Sequence, residues 1–225
     1  MKLGKKELIL FDFDGTLIDS VPDLVFAINE MQSQLNREHF EEKLVRSWVG
    51  NGAQTLVKRA LSKNVLVDEA LDQKLFEKAL AIFLESYKKN VCVKTKTYEG
   101  VVSTLHLLQK RGYKMAIVTN KPHNFVAPLL EQLGLNDFFA LFIGGDALEY
   151  KKPHPQPLEY ICQEMNVSIV NAVMVGDSKN DILAANAAGM QSIAVSYGYN
   201  YEEDISIYNP TVVIDHFRDI LEVLS

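Results

Sequence analysis

Short apolar runs alternate with amphipathic stretches over most of this chain. The runs at 8–13, 115–119, 141–144, 172–176, 192–195 and 212–214 are rich in β-branched and aromatic residues and end in polar ones, as strands buried on both faces do. Between them, 101–110, 125–133, 158–165 and 181–188 carry apolar residues three and four apart, the spacing of crossover helices. The alternation predicts an α/β fold with a doubly wound, mostly parallel sheet.

One stretch breaks this pattern. From about residue 22 to 89 the chain reads as consecutive helices, over 24–35, 40–45, 53–61 and 70–87, with no strand among them. A small all-helical cap domain inserted after the first strand is the expectation: residues 1–16 and 96–225 form the core and 17–95 the cap. There is no internal repeat and no low-complexity tract.

Composition narrows the partners. At 225 residues, 48% hydrophobic and 23% charged, the chain suits one sizeable core with a smaller inserted module. A net charge of −6 argues against nucleic acid, whose phosphate backbone demands clustered Lys and Arg. Cys92 and Cys162 are isolated in apolar surroundings and read as small buried hydrophobes, which fits a cytoplasmic, reducing location. The first apolar run is broken by Asp12 and Asp14 and is too short for export, and no stretch of about 18 apolar residues suggests a membrane partner. A monomer or a homodimer is expected.

Ligands of open α/β sheets bind beyond the carboxyl ends of the strands, so the polar residues there matter most. The first strand runs into Asp12-Phe13-Asp14-Gly15-Thr16, two carboxylates two residues apart on the same side. Two such acids repel, so the pair reads as a metal site or an acid/base device, and by itself equally as an acidic surface turn. An EF-hand is excluded, because Gly15 follows the second Asp directly and an apolar strand precedes the first. The second strand ends in Thr119-Asn120, a hydroxyl and an amide that alone also serve as a helix cap before Lys121-Pro122. The proline-dense segment 150–157 places Lys152 just before a helix, a point charge for an anion or part of a solvated loop. The fourth strand ends in Gly176-Asp177, with Asp181 one helical turn later; capping alone would not require the second acid.

In conjunction these residues resemble the four signature motifs of the haloacid dehalogenase superfamily: Asp12-x-Asp14-Gly15-Thr16, Thr119, Lys152, and Gly176-Asp177 with Asp181. The resemblance spans nearly the whole chain. It implies a phosphomonoester hydrolase in which Asp12 is the nucleophile that becomes an aspartyl phosphate, Asp14 the general acid and base, and Thr119 and Lys152 further catalytic residues. It also implies magnesium, held by Asp12, Asp177 and the Asp14 backbone carbonyl, with Asp181 orienting a neighbouring ligand. Charge supports a cation, since three carboxylates and a phosphoryl group face one lysine. Gly15, Thr16 and Asn120 are expected to bind substrate.

Substrate choice is expected in the cap. The segment from Arg46 to Ala53 with Leu56 and Arg59, and the later stretch 196–200, resemble bacterial phosphoglycolate phosphatases. Gly50, Asn51 and Gly52 precede a predicted helix and offer N–H groups to an anion, with Arg59 adding charge; without the resemblance, a turn and a solvated face explain them as well. The five histidines lack metal-type clustering, and neither a dinucleotide fingerprint nor a Walker A loop is present. A sugar-phosphate phosphatase or phosphomutase shares all four motifs. Dehalogenase chemistry is disfavoured by Asp14, and a non-catalytic phosphate-binding module by the full set of acids.

Overall fold

The computed structural model describes residues 2–224. Strand β1 (Leu8–Phe11) is followed by a short β2 (Ile18–Asp19), then by four helices, α1 (Val21–Gln34), α2 (Glu42–Arg46), α3 (Ala53–Ser62) and α4 (Gln73–Lys89). A short β3 (Lys96–Thr97) returns antiparallel to β2. The alternation then begins: α5 (Val101–Lys110), β4 (Lys114–Val118), α6 (Val126–Gln132), β5 (Leu141–Ile143), α7 (Gln156–Glu164), β6 (Ala172–Gly176), α8 (Lys179–Ala188), β7 (Gln191–Val195), β8 (Val212–Ile214) and α9 (Ile220–Val223).

Six strands form one parallel sheet in the order β5-β4-β1-β6-β7-β8. The chain starts in the middle, winds out to one edge and returns to build the other, which is the doubly wound plan. Period-two alternation sorts the strand residues between two faces. Ile9, Phe11, Met115, Ile117, Val173 and Val175 pack with α5, α6 and the C-terminal segment around Phe217 and Ile220. Leu8, Leu10, Ala116, Val118, Ala172 and Met174 pack with Leu158, Ile161 and Cys162 of α7 and Ala184 and Ala185 of α8. Both faces are covered, so the central strands β1 and β6 read as continuous apolar runs.

The helices between β2 and β3 pack their apolar stripes on one another: Ala27, Ile28 and Met31 of α1, Val57 and Ala60 of α3, and Ala79 and Phe83 of α4 are all buried. Asp23, near the start of α1, ties this unit to the returning chain. Its carboxylate accepts the backbone N–H groups of Val93, Lys94 and Thr95 at 2.8–3.0 Å and the Thr95 hydroxyl at 2.7 Å.

The apolar run at 8–13 stops being a strand two residues early. The Asp12 N–H still donates to the Val175 carbonyl at 2.9 Å, but the Phe13 carbonyl then accepts the N–H groups of Leu17 and Ile18, and the chain curls into a turn. This turn brings Asp14 over the sheet edge rather than along it. Strands β2 and β3 carry no periodic signal because each is two residues long. No described helix is long and apolar enough to cross a membrane.

Candidate active site

Asp12 stands just past the end of β1, at the point where the sheet order reverses, buried and beside two further acids. One carboxylate oxygen each from Asp12, Asp177 and Asp181 fall within 4.8 Å of one another. Burial, opposed by Lys152 and reinforced by Asp181, pushes the Asp12 carboxyl up to about 7. Burial, together with Asp12 and Asp181, likewise raises Asp177 well above the ordinary carboxylate range. Acids strained in this way lower their free energy by binding a cation, and oxygen donors at this spacing suit a hard divalent ion.

Lys152 is the one ammonium inside the cluster among the described residues. It reaches Asp181 Oδ1 at 2.6 Å, Asp12 Oδ1 at 2.9 Å and the Val118 carbonyl at 2.5 Å. Burial works against its charge, but Asp12 and Asp181 outweigh that cost and raise its pKa above the usual lysine value. Asp181 Oδ2 accepts the Ser178 N–H at 3.0 Å and its hydroxyl at 2.9 Å, so both oxygens of Asp181 are engaged. Asp177 accepts the Thr16 hydroxyl at 2.8 Å and the Tyr199 N–H at 2.7 Å. Gly15 permits this packing: its φ is +90°, and a Cβ there would lie 2.2 Å from Asp177 Oδ2.

Asp14 has a different partner. Lys121, three residues beyond the end of β4, grips both of its oxygens at 2.9 and 3.1 Å, while the Ser20 hydroxyl donates to Oδ1 at 2.5 Å. The Lys121 side chain is only 2% exposed. Burial again opposes its charge, yet Asp14 and the Tyr87 phenol hold its pKa above the ordinary value. The ammonium lies 4.9 Å from the centre of the Tyr87 ring on α4.

Between these acids and the helical unit lies a small cavity of about 40 Å³ that opens to solvent. Asp12, Asp14, Thr119, Asn120 and Lys121 form its floor; Leu24, Val49, Leu56, Phe83 and Tyr87 form much of its roof. The loop before α3 closes one side. Its Gly50 carbonyl accepts from Asn120 at 3.0 Å and Asn180 at 3.2 Å, the Asn51 carbonyl accepts from Lys151 at 2.7 Å, and the Tyr201 hydroxyl donates to the Asn51 side chain at 2.7 Å. Gly52, at φ +85°, lies so near the Asn120 carbonyl that a Cβ would stand 2.7 Å from it.

The expected site residues thus fall into three places. Asp12, Asp14, Thr119, Asn120, Gly50 and Gly52 line the cavity. Lys152, Asp177, Asp181, Gly15 and Thr16 lie beneath or beside Asp12; Thr16 spends its hydroxyl on Asp177, because the turn at Gly15 aims it inward. Asn51 and Arg59 are not brought into the cavity. Asn51 is bound into the loop's contacts with the core, and Arg59 donates to the Trp48 carbonyl at 2.6 Å and the Val65 carbonyl at 2.9 Å, bracing the loop from behind. Lys121, Ser20 and Tyr87 were not singled out from sequence. Lys121 was legible only as the residue after Thr119-Asn120, and nothing in a linear reading pairs it with an acid 107 residues away.

The family model of haloacid dehalogenase-like hydrolases matches residues 9–195. The chain is 48% identical over 221 residues to a phosphoglycolate phosphatase of Colwellia psychrerythraea, covering 98% of each, and 44% identical to one of Psychrobacter arcticus, covering 97% of this chain and 96% of that one. Among solved structures, a predicted phosphoglycolate phosphatase from Haemophilus somnus superposes with a TM-score of 0.91 at 36% identity, over 99% of both chains. With four motifs gathered at one sheet edge and relatives of this similarity along its whole length, the chain belongs to the haloacid dehalogenase-like hydrolase family.

Proposed function

We propose that this hydrolase is a magnesium-dependent phosphatase that cleaves 2-phosphoglycolate to glycolate and inorganic phosphate. The observation that carries the reading is the cavity itself, which joins a buried Asp12 to an ion-paired Asp14 under an apolar roof. The start of α3 adds backbone N–H groups at Gly52 and Ala53 on the side where a second anionic group of the substrate would lie. The names of the curated relatives point to the same substrate.

The chemistry divides into two half-reactions. A carboxylate oxygen of Asp12 attacks phosphorus in line; the bond from phosphorus to the substrate's ester oxygen breaks, and Asp14 gives that oxygen a proton, leaving an aspartyl phosphate. Water then attacks phosphorus, Asp14 takes the proton from it, and the Asp12 carboxylate and inorganic phosphate are restored. The Thr119 oxygen accepts the Lys121 N–H at 3.2 Å, so its own proton is free to donate to a phosphoryl oxygen. Lys152 keeps Asp12 and Asp181 from repelling each other. Asp12 and Asp177 would hold magnesium, with the Asp14 carbonyl added by family resemblance, and the ion when bound would neutralise the charge gathered on the phosphoryl oxygens. Asp181, with both oxygens engaged, orients its neighbours instead. The roof excludes bulk water from the first step, which is the role proposed for residues 17–95 as a cap.

The test is phosphate release from 2-phosphoglycolate, hexose phosphates, pyrophosphate and nucleotides, with and without magnesium. Preference for 2-phosphoglycolate that vanishes without the metal supports the reading. A preferred hexose phosphate, or phosphate retained on the sugar as a mutase would leave it, overturns it.

A further inference from the structure

The Lys121–Asp14 pair is built more elaborately than a stabilising ion pair requires. One ammonium holds both Asp14 oxygens, and the Ser20 hydroxyl holds Oδ1 from another direction, so the carboxyl plane has no freedom to turn. Lys121 belongs to the core, whereas the ring that covers it, Tyr87, belongs to α4 of the inserted unit. Tyr87 is itself fixed, with Phe83 stacked 5.8 Å away at 7° and Phe125 edge-on at 4.9 Å. Its phenol is buried without a well-formed hydrogen bond, and that burial, opposed by Lys121, pushes it up to about 12, so Tyr87 offers Lys121 an aromatic face with a neutral hydroxyl at its edge. All three residues line the cavity.

A surface ion pair would be worth little and would wander. Here water is excluded from one side of the pair by the inserted helices together with Phe125. If these helices lift away, the ammonium regains water and its hold on Asp14 loosens; when they seat, the pair is desolvated and the carboxyl is aimed. Resting on the reading of Asp14 as general acid and base, we propose that Lys121 is a positioning residue for Asp14 and that Tyr87 makes this positioning conditional on the cap being closed. In the substrate complex Asp14 carries a proton on one oxygen and keeps the other on Lys121, and delivery of that proton to the leaving oxygen is thereby tied to the closed state, in which bulk water is absent.

The proposal is tested by leaving-group dependence, read as kcat/KM on three small esters. Ethyl phosphate and 2-phosphoglycolate expel alkoxides that need a proton, and only the second carries a carboxylate. Acetyl phosphate expels a carboxylate that needs none. For Lys121→Met the expected loss is roughly 10²-fold on both alkyl esters and under about 10-fold on acetyl phosphate. Tyr87→Leu should show the same selectivity at smaller size, whereas Tyr87→Phe, which keeps the ring, should lose less than Tyr87→Leu, and Lys121→Arg should recover part of the Lys121→Met loss. Equal loss on all three esters would make Lys121 merely structural, and loss confined to 2-phosphoglycolate would make it a carboxylate anchor; either overturns the proposal. Should Lys121→Met fail to fold, the Tyr87 pair alone decides it, unselective loss in Tyr87→Leu being the contrary result. Asp14→Asn separates the two levels: if it spares the alkyl esters, the acid/base reading fails, and if it is selective while the Lys121 and Tyr87 variants are not, only this inference fails.

Discussion

Lys152 Nζ stands 2.6 Å from Asp181 Oδ1, with the ammonium 2% exposed and the carboxylate fully buried. The same ammonium touches Asp12, so one positive charge is shared by two acids that would otherwise repel at close range. Replacing Lys152 with Met should leave those acids uncompensated. The expected cost is about 3–5 kcal/mol of stability near neutral pH, as for a buried pair deprived of one partner, with activity reduced by at least ~10²-fold. Urea unfolding and phosphate release check the two effects separately. A variant as stable and as active as the parent would remove Lys152 from the scheme.

The raised Asp12 carboxyl makes stability depend on pH in a definite direction. Its folded pKa of about 7 lies above the ordinary value of 3.8, so between those limits the folded protein binds more protons than the unfolded chain. Stability from this group is therefore full below about pH 4 and is lost as pH rises through about 7. Asp177, raised in the same sense, adds to the trend. Magnesium competes with the proton for these oxygens, so it should raise the melting temperature more at about pH 8 than at about pH 5. Calorimetry of metal-stripped protein with and without magnesium at both pH values decides this; a larger gain at the lower pH would contradict it.

Gly52 should tolerate no side chain in the closed arrangement. At φ +85°, with the Asn120 carbonyl 2.7 Å from where a Cβ would sit, Gly52→Ala strains the backbone and pushes the loop off the core. The strain should cost about 1–3 kcal/mol of stability while KM rises by roughly 10-fold or more. Steady-state kinetics beside a thermal melt check this. An unchanged KM would mean that contact between this loop and Asn120 is not needed for turnover.

Much of this arrangement is legible along the chain because the acids obey a rule of position. Asp12, Thr119 and Asp177 each follow an apolar strand, and parallel strands present their carboxyl ends on one side of a sheet. The early end of β1 was not legible, because Phe13 continues the apolar run while its carbonyl leaves the ladder to accept Leu17 and Ile18. The partners of Asp14 were hidden for a related reason: Lys121 lies on the far side of the inserted helices in sequence, and a bidentate contact carries no local pattern. Arg59 is the converse case. Its charge and its place after a glycine turn suggested an anion site, but the guanidinium donates to two backbone carbonyls, of Trp48 and Val65, and lies over the Tyr201 ring.

The covalent step on Asp12 is the centre of this account, and rapid quench in acid with phosphorus-labelled 2-phosphoglycolate tests it most directly. Label should appear on the protein within the first turnover, map to the peptide containing Asp12, and be absent from Asp12→Asn. Hydrolysis at the parental rate by Asp12→Asn, or label on another residue, would contradict it.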